Sequence, residues 1–160
     1  MKNSFLILFL VLGFNVFSQT HQIIKHDNES RLVNFIKDED NLIYYSYIGS
    51  FEEHKISPYA VATLKNLQSS EVKTISSKIS IASKSDYNKV KVLQHEDNAI
   101  GLKKVTVFKG QINRAKGISS FEQFENTIRN VQYKAADKCL PFVVINKKTN
   151  GTYEAIAYTY

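Results

Sequence analysis

Five side chains in this sequence could move a proton or attack a substrate: His21, His26, His54, His95 and Cys139. His54 lies in Glu52-Glu53-His54-Lys55 and His95 in Gln94-His95-Glu96-Asp97, so each has carboxylates beside it. Two imidazoles brought together could cleave RNA, one removing the 2′-hydroxyl proton and the other protonating the leaving oxygen. A small basic chain suits that chemistry, and a ribonuclease-like hydrolase using His54 and His95 is the alternative function carried forward. Spacing alone does not make them converge, and a solvated imidazole is the commoner state. His21 and His26 fall in a polar stretch and define no metal site. Cys139 could be a nucleophile or form an intermolecular disulfide. Its spacing instead continues an apolar helical stripe, which predicts a small buried hydrophobe.

The remaining motifs exclude more than they assign. Carboxylates for glycoside hydrolysis could be drawn from Asp38, Asp40, Glu52, Glu53 or Glu96, but all sit in charged loops where solvation is the default. Asp38-Glu39-Asp40-Asn41 lacks the central glycine and distal glutamate of a calcium loop. The six glycines, at 13, 49, 101, 110, 117 and 151, never cluster into a phosphate cradle, which argues against a nucleotide cofactor. Gly-x-Ser-x-Gly, His-Glu-x-x-His and Cys-x-x-Cys are absent. The sequence therefore assigns no catalytic residue, no metal ligand and no cofactor, and a binding module is expected over an enzyme.

Charge offers a candidate binding surface. Residues 19–56 hold four Lys/Arg against seven Asp/Glu, residues 57–118 eleven against four, and residues 119–160 five against four. The cationic middle could attract an anionic partner, although dispersed lysines also serve to keep sheet edges solvated. Lys89 and Lys91 are two apart, opposite Val90 and Val92 on a strand, with Lys104 expected on a neighbouring strand and Lys103 nearby. These four lysines form the expected ligand-binding face, whose affinity for a polyanion should fall steeply with salt. Tyr44, Tyr45 and Tyr47, and further on Tyr153, Tyr158 and Tyr160, could stack on sugars or anchor a protein, or simply pack across strands. If the tyrosines dominate, the protein would be a structural or inhibitory partner of another protein.

The first residues place the domain. Lys2 precedes an apolar run from Phe5 to Phe14, then Val16 and Ser18 stand at the positions signal peptidase favours. This resembles the leader of an exported bacterial protein. Residues 1–18 are expected to be a signal peptide cleaved after Ser18, the run being too short for a membrane span. With no cysteine at the cleavage point and no second apolar run, no lipid or transmembrane anchor is expected after cleavage. Residues 19–160 then form one soluble domain, periplasmic or extracellular. Its 43% hydrophobic content supports a globular core without staples.

The elements that must position these residues follow from periodicity. Residues 19–28 read as a short arm, and Asn28 or Ser30 as the cap of a brief helix through Lys37. Asn41 to Ile48 reads as a strand, while Ser57 to Leu67 suits a helix or a strand equally. Ile79 and Ile81, Val90 and Val92, and Val105 and Val107 alternate with polar residues, which predicts three antiparallel strands with these apolar residues inward. Ser119 with Glu122, or Ser120 with Gln123, makes a capping box. Phe121, Phe124, Ile128, Val131, Ala135 and Cys139 then share a helical stripe that Pro141 ends. Two strands, 142–146 and 152–160, flank the hairpin signal Asn150-Gly151. The expected class is α+β: an antiparallel sheet of about five or six strands with one long helix on one face. The function expected from these readings is an exported, non-enzymatic domain that binds an anionic envelope component or a protein partner.

Overall fold

The computed structural model describes residues 20–112 and 117–160. The expected signal peptide lies outside the described residues. The fold is α+β, with a six-stranded antiparallel sheet, a four-stranded sheet and one long helix among the described residues. The strands are β1 (His21–Lys25), β2 (Ser30–Glu39), β3 (Leu42–Ser46), β4 (Glu53–Ile56), β5 (Val61–Asn66) and β6 (Val72–Thr74), in the order β4-β3-β2-β1-β5-β6. The second sheet has β7 (Lys91–Leu93), β8 (Lys103–Gln111), β9 (Phe142–Lys147) and β10 (Thr152–Thr159) in the order β7-β9-β10-β8. Helix α1 (Ser120–Ala136) connects β8 to β9 and packs on this second sheet rather than on the six-stranded one.

Two expectations near the start fail for one reason. The stretch read as an arm contains β1, paired with β2 on one side and β5 on the other, and Ile23 is buried. The stretch read as a helix is β2, whose first half pairs with β1 and whose second half pairs with β3. Asn28 does not cap a helix. It takes φ 69° in the β1–β2 turn, where the Asn28 N–H donates to the Lys25 carbonyl and the Lys25 N–H to that of Glu29. Asparagine suits both a helix cap and a left-handed turn, so its presence does not separate them. Asp40 and Asn41, with φ 53° and 57°, make the two-residue turn that joins β2 to β3. The ambiguous segment holds both candidates: Ser57 caps a 3-10 turn over Pro58–Ala60 that runs directly into β5.

The middle of the chain is less regular than its alternation predicts. Ile79 and Ile81 lie in no strand, although Ile81 is buried beneath α1. Only Lys91–Leu93 pairs from the next segment, and it pairs parallel to β9. On β8 the facing is opposite to that expected: Phe108 packs toward the helix-side core, while Val105 and Val107 are exposed. Val105 has no partner in the register, which passes from Ala157↔Thr106 to Tyr158↔Lys104, so a bulge resets the strand there.

The C-terminal third follows its pattern more closely. Ser119 is the N-cap of α1, accepting the Glu122 N–H at 3.2 Å. Val131 and Ala135 are fully buried against Val143, Ala155 and Ala157. The other face of the sheet carries Phe142, Val144 and Ile156, which meet Tyr59 from the first half of the chain and Leu102, just before β8. Phe121, 74% exposed, and Cys139 correct the two ends of the predicted stripe, and Cys139 lies exposed three residues past the helix. Its φ of 56° lets Leu140 N–H reach the Ala135 carbonyl and Cys139 N–H that of Ala136, each at 2.9 Å. This is the six-to-one, five-to-two closure of a helix end, and Leu140 fills the core in place of the thiol.

Candidate functional site

The four lysines of the expected binding face do not form one patch. Lys89 ends a 3-10 turn and pairs with Asp86 at 2.6 Å. Lys91 sits on β7 with its ammonium 5.9 Å from the centroid of the Tyr59 ring. Lys103 and Lys104 begin β8, at the opposite edge of the four-stranded sheet. The pairings Lys91↔Phe142, Phe142↔Tyr158 and Tyr158↔Lys104 set Lys91 and Lys104 at the two ends of one row. Three strand spacings, about 14 Å, separate them. Lys91 also borders a cleft of about 210 Å³ where the two halves of the chain meet, with Asn41, Gln94, Asn98 and Tyr59.

The histidines have separate surroundings. The His54 ring lies 4.7 Å from that of Tyr47 and 5.7 Å from that of Tyr45, within the face of β3 and β4. His95 precedes the 3-10 turn Glu96–Ala99, and its backbone N–H donates to the Asn98 side chain at 3.2 Å. The link between these regions is Lys55, which bonds Asp97 at 2.6 Å, rather than an imidazole pair. Among the described residues no group of three His, Cys, Asp or Glu stands close enough to hold a metal ion. Among them, too, no helix is long and apolar enough to cross a membrane.

A larger concavity lies where the sequence singled out only Tyr153. Gln123, Asn126, Asn130 and Tyr133 recur along α1 at spacings of 3, 4 and 3, a polar stripe beside the apolar one. They form one wall of a groove whose other wall is Gly110 and Gln111 of β8, with Tyr153 of β10 at its base. The wide end encloses about 640 Å³ and the narrow end about 70 Å³, sharing Gln111, Asn130 and Tyr153. Gly110 is required there, because a Cβ at that position would stand 2.6 Å from the Tyr153 hydroxyl. Tyr133 is backed by Tyr87, whose ring stacks at 4.0 Å and 29°. The hydrogen bond with Tyr87 holds the Tyr133 phenol above its ordinary pKa, so it remains a neutral hydroxyl.

Lys84 and Lys134 flank the wide end, and among the described residues no carboxylate lines the groove. Amides supply both donors and acceptors, tyrosines supply flat faces, and the lysines supply positive charge. Such walls can hold a polar ligand rich in hydroxyls and carrying negative charge. Among the described lining residues there is no histidine or cysteine. The periodicity that reveals the groove was available in the sequence, but amides at helical spacing ordinarily mark a solvated face. Comparison with protein-family models, with curated proteins and with solved structures finds no match to this chain.

Proposed function

We propose that the protein is an exported, non-enzymatic binding domain whose ligand is an anionic, hydroxyl-rich component of the cell envelope, such as a strand of acidic polysaccharide. The observation that carries this reading is the amide-lined groove between α1 and β8, open to solvent and flanked by Lys84 and Lys134. Its wide end, an open depression of about 640 Å³, leaves room for part of a polymer strand.

Calorimetry with alginate oligomers, a polyuronate, and with neutral dextran tests this reading. Alginate is expected to bind and dextran to bind far more weakly, with affinity for alginate falling as salt rises. Asn130→Ala and Lys134→Ala should each weaken alginate binding by about fivefold to tenfold, the equivalent of one hydrogen bond or charge contact. Equal binding of dextran, or unchanged binding by both variants, overturns the assignment to this groove. The competing hydrolase reading requires RNA cleavage by the native protein that His54→Ala and His95→Ala each abolish. Export requires that the chain recovered from its host's envelope or medium have the mass of residues 19–160.

A further inference from the structure

A second cavity, remote from the α1 groove, opens on the six-stranded sheet and encloses about 200 Å³. Its floor is apolar: Ile23 of β1, Ile56 of β4 and Ile100, the first two buried in the core. Its rim is cationic: Lys25 at the end of β1, Arg31 on β2 and Lys55 on β4. Gly101 keeps the space open from the far side, since with φ 90° and no Cβ it lies against Ile56, where a Cβ would approach Cγ1 to 2.7 Å. The hydroxyl of Tyr45, which also lines the cavity, is 3.5 Å from that of Tyr47. Burial pushes the Tyr45 phenol up to about 12, so it remains protonated.

The rim cations meet carboxylates from the outside. Glu29 in the β1–β2 turn bonds Lys25 at 2.9 Å through one oxygen, and with the other accepts from Arg31 Nε at 2.7 Å and from Nη2. Asp97 bonds Lys55 at 2.6 Å. The Lys25 side chain is 14% exposed, whereas those of Glu29 and Asp97 are 40% and 63% exposed. Glu29 thus occupies the fork of Arg31 with a solvated carboxylate on a turn and shares the ammonium of Lys25 with Asp27, 3.0 Å away, while Arg31 also donates from Nη1 to the Tyr47 hydroxyl at 2.6 Å. A ligand carboxylate reaching from the isoleucine floor to Arg31 and Lys25, which line the cavity as Glu29 does not, would compete with Glu29 for them. Exchange of one carboxylate for another keeps the cations paired, so the apolar body supplies the gain.

We infer that this cavity is a binding site for a small amphiphilic carboxylate, a carboxyl group on a short hydrocarbon or aryl body, which displaces Glu29 from Arg31 and Lys25. A free inorganic anion would leave the isoleucine floor empty, and a neutral apolar molecule would leave the rim unused. The volume, below the range that encloses drug-sized molecules, limits the body to a single ring or a short chain.

The test uses the full chain with its isoleucine methyls labelled, titrated with benzoate, phosphate and benzyl alcohol while methyl spectra are recorded. Benzoate is expected to shift the Ile23, Ile56 and Ile100 methyls saturably, and the other two probes to shift them little. Arg31→Ala should weaken benzoate about tenfold, and Glu29→Gln should tighten it severalfold because the competing carboxylate is gone. Lys55→Ala, at an exposed position, provides a second loss variant, and unchanged methyl dispersion shows that each variant is folded. Asn130→Ala, in the α1 groove, should leave benzoate affinity unchanged, which separates this site from the groove. The inference is overturned if benzyl alcohol or phosphate matches benzoate, if no methyl responds, or if Glu29→Gln weakens binding.

Discussion

At the scale of single residues, Cys139 shows how a correct spacing can mislead. The step of four from Ala135 is helical, yet the helix has ended, and neither glycine nor asparagine stands at the left-handed position to announce the end. The exposed thiol follows from that backbone, not from its own hydrophobicity. His26 illustrates the reverse, a polar residue given a definite internal role. Its Nε2 lies 2.9 Å from the Ser76 hydroxyl, which itself donates to the Val61 carbonyl at 2.8 Å. Ser76 has one hydroxyl proton, already committed to Val61, so the imidazole must be the donor through Nε2–H. Burial first, and then the neighbouring Lys78, hold the His26 pKa below its ordinary 6.5. Burial lowers that of His21 as well. The unfolded chain therefore binds protons that the folded chain refuses, and stability is lost as pH falls from about 6.5 through the folded values. The urea midpoint is expected to be lower near pH 5 than near pH 7, with a smaller difference in His26→Gln, whose amide can still donate to Ser76. An identical pH response in the variant would remove His26 from this account.

At the scale of elements, what could be read depended on whether local and long-range preferences agreed. Helix α1, β9 and β10 were legible because a serine cap, an apolar stripe, a proline stop and Asn150-Gly151 all point the same way. β2 was not, because Leu32, Val33, Phe35 and Ile36 are consecutive enough to suit either period. Pairing to β1 and then β3 decides it, with Ile36 set aside at the bulge between Phe35 and Lys37. The groove wall was visible as a polar stripe but carried no chemistry until β8 stood opposite. The turn at Gly101 offers a direct measurement of how tightly one such junction is built. Gly101→Ala forces a strained φ and drives a methyl into Ile56 and Ala60. A loss of about 2–4 kcal/mol is expected, read as a lower denaturant midpoint at constant slope. A loss under about 0.5 kcal/mol, the range of neutral surface changes, would show that the junction yields.

At the scale of the whole molecule, Tyr160 is where the two sheets are joined. Its ring meets Phe142 of the four-stranded sheet at 5.2 Å and His26, just past β1, at 4.7 Å. Its hydroxyl accepts the Ile79 N–H at 2.7 Å. Tyr160→Ala is expected to cost about 3 kcal/mol and Tyr160→Phe about 1 kcal/mol, a ratio that thermal unfolding can check. Equal losses would assign its contribution to the hydrogen bond alone. Alternation along a strand says which residues share a face but not which sheet receives them, so the split into two sheets was not legible. That split also sets an order of assembly during synthesis. The ladders of the six-stranded sheet lie wholly within residues 21–74, so they can form while the rest of the chain is still being made. In the four-stranded sheet β10 stands between β9 and β8, and Lys103 must wait for Thr159. Until then β8 is a nine-residue strand with both edges unpaired, and the nascent chain carries it open to pairing with a neighbour.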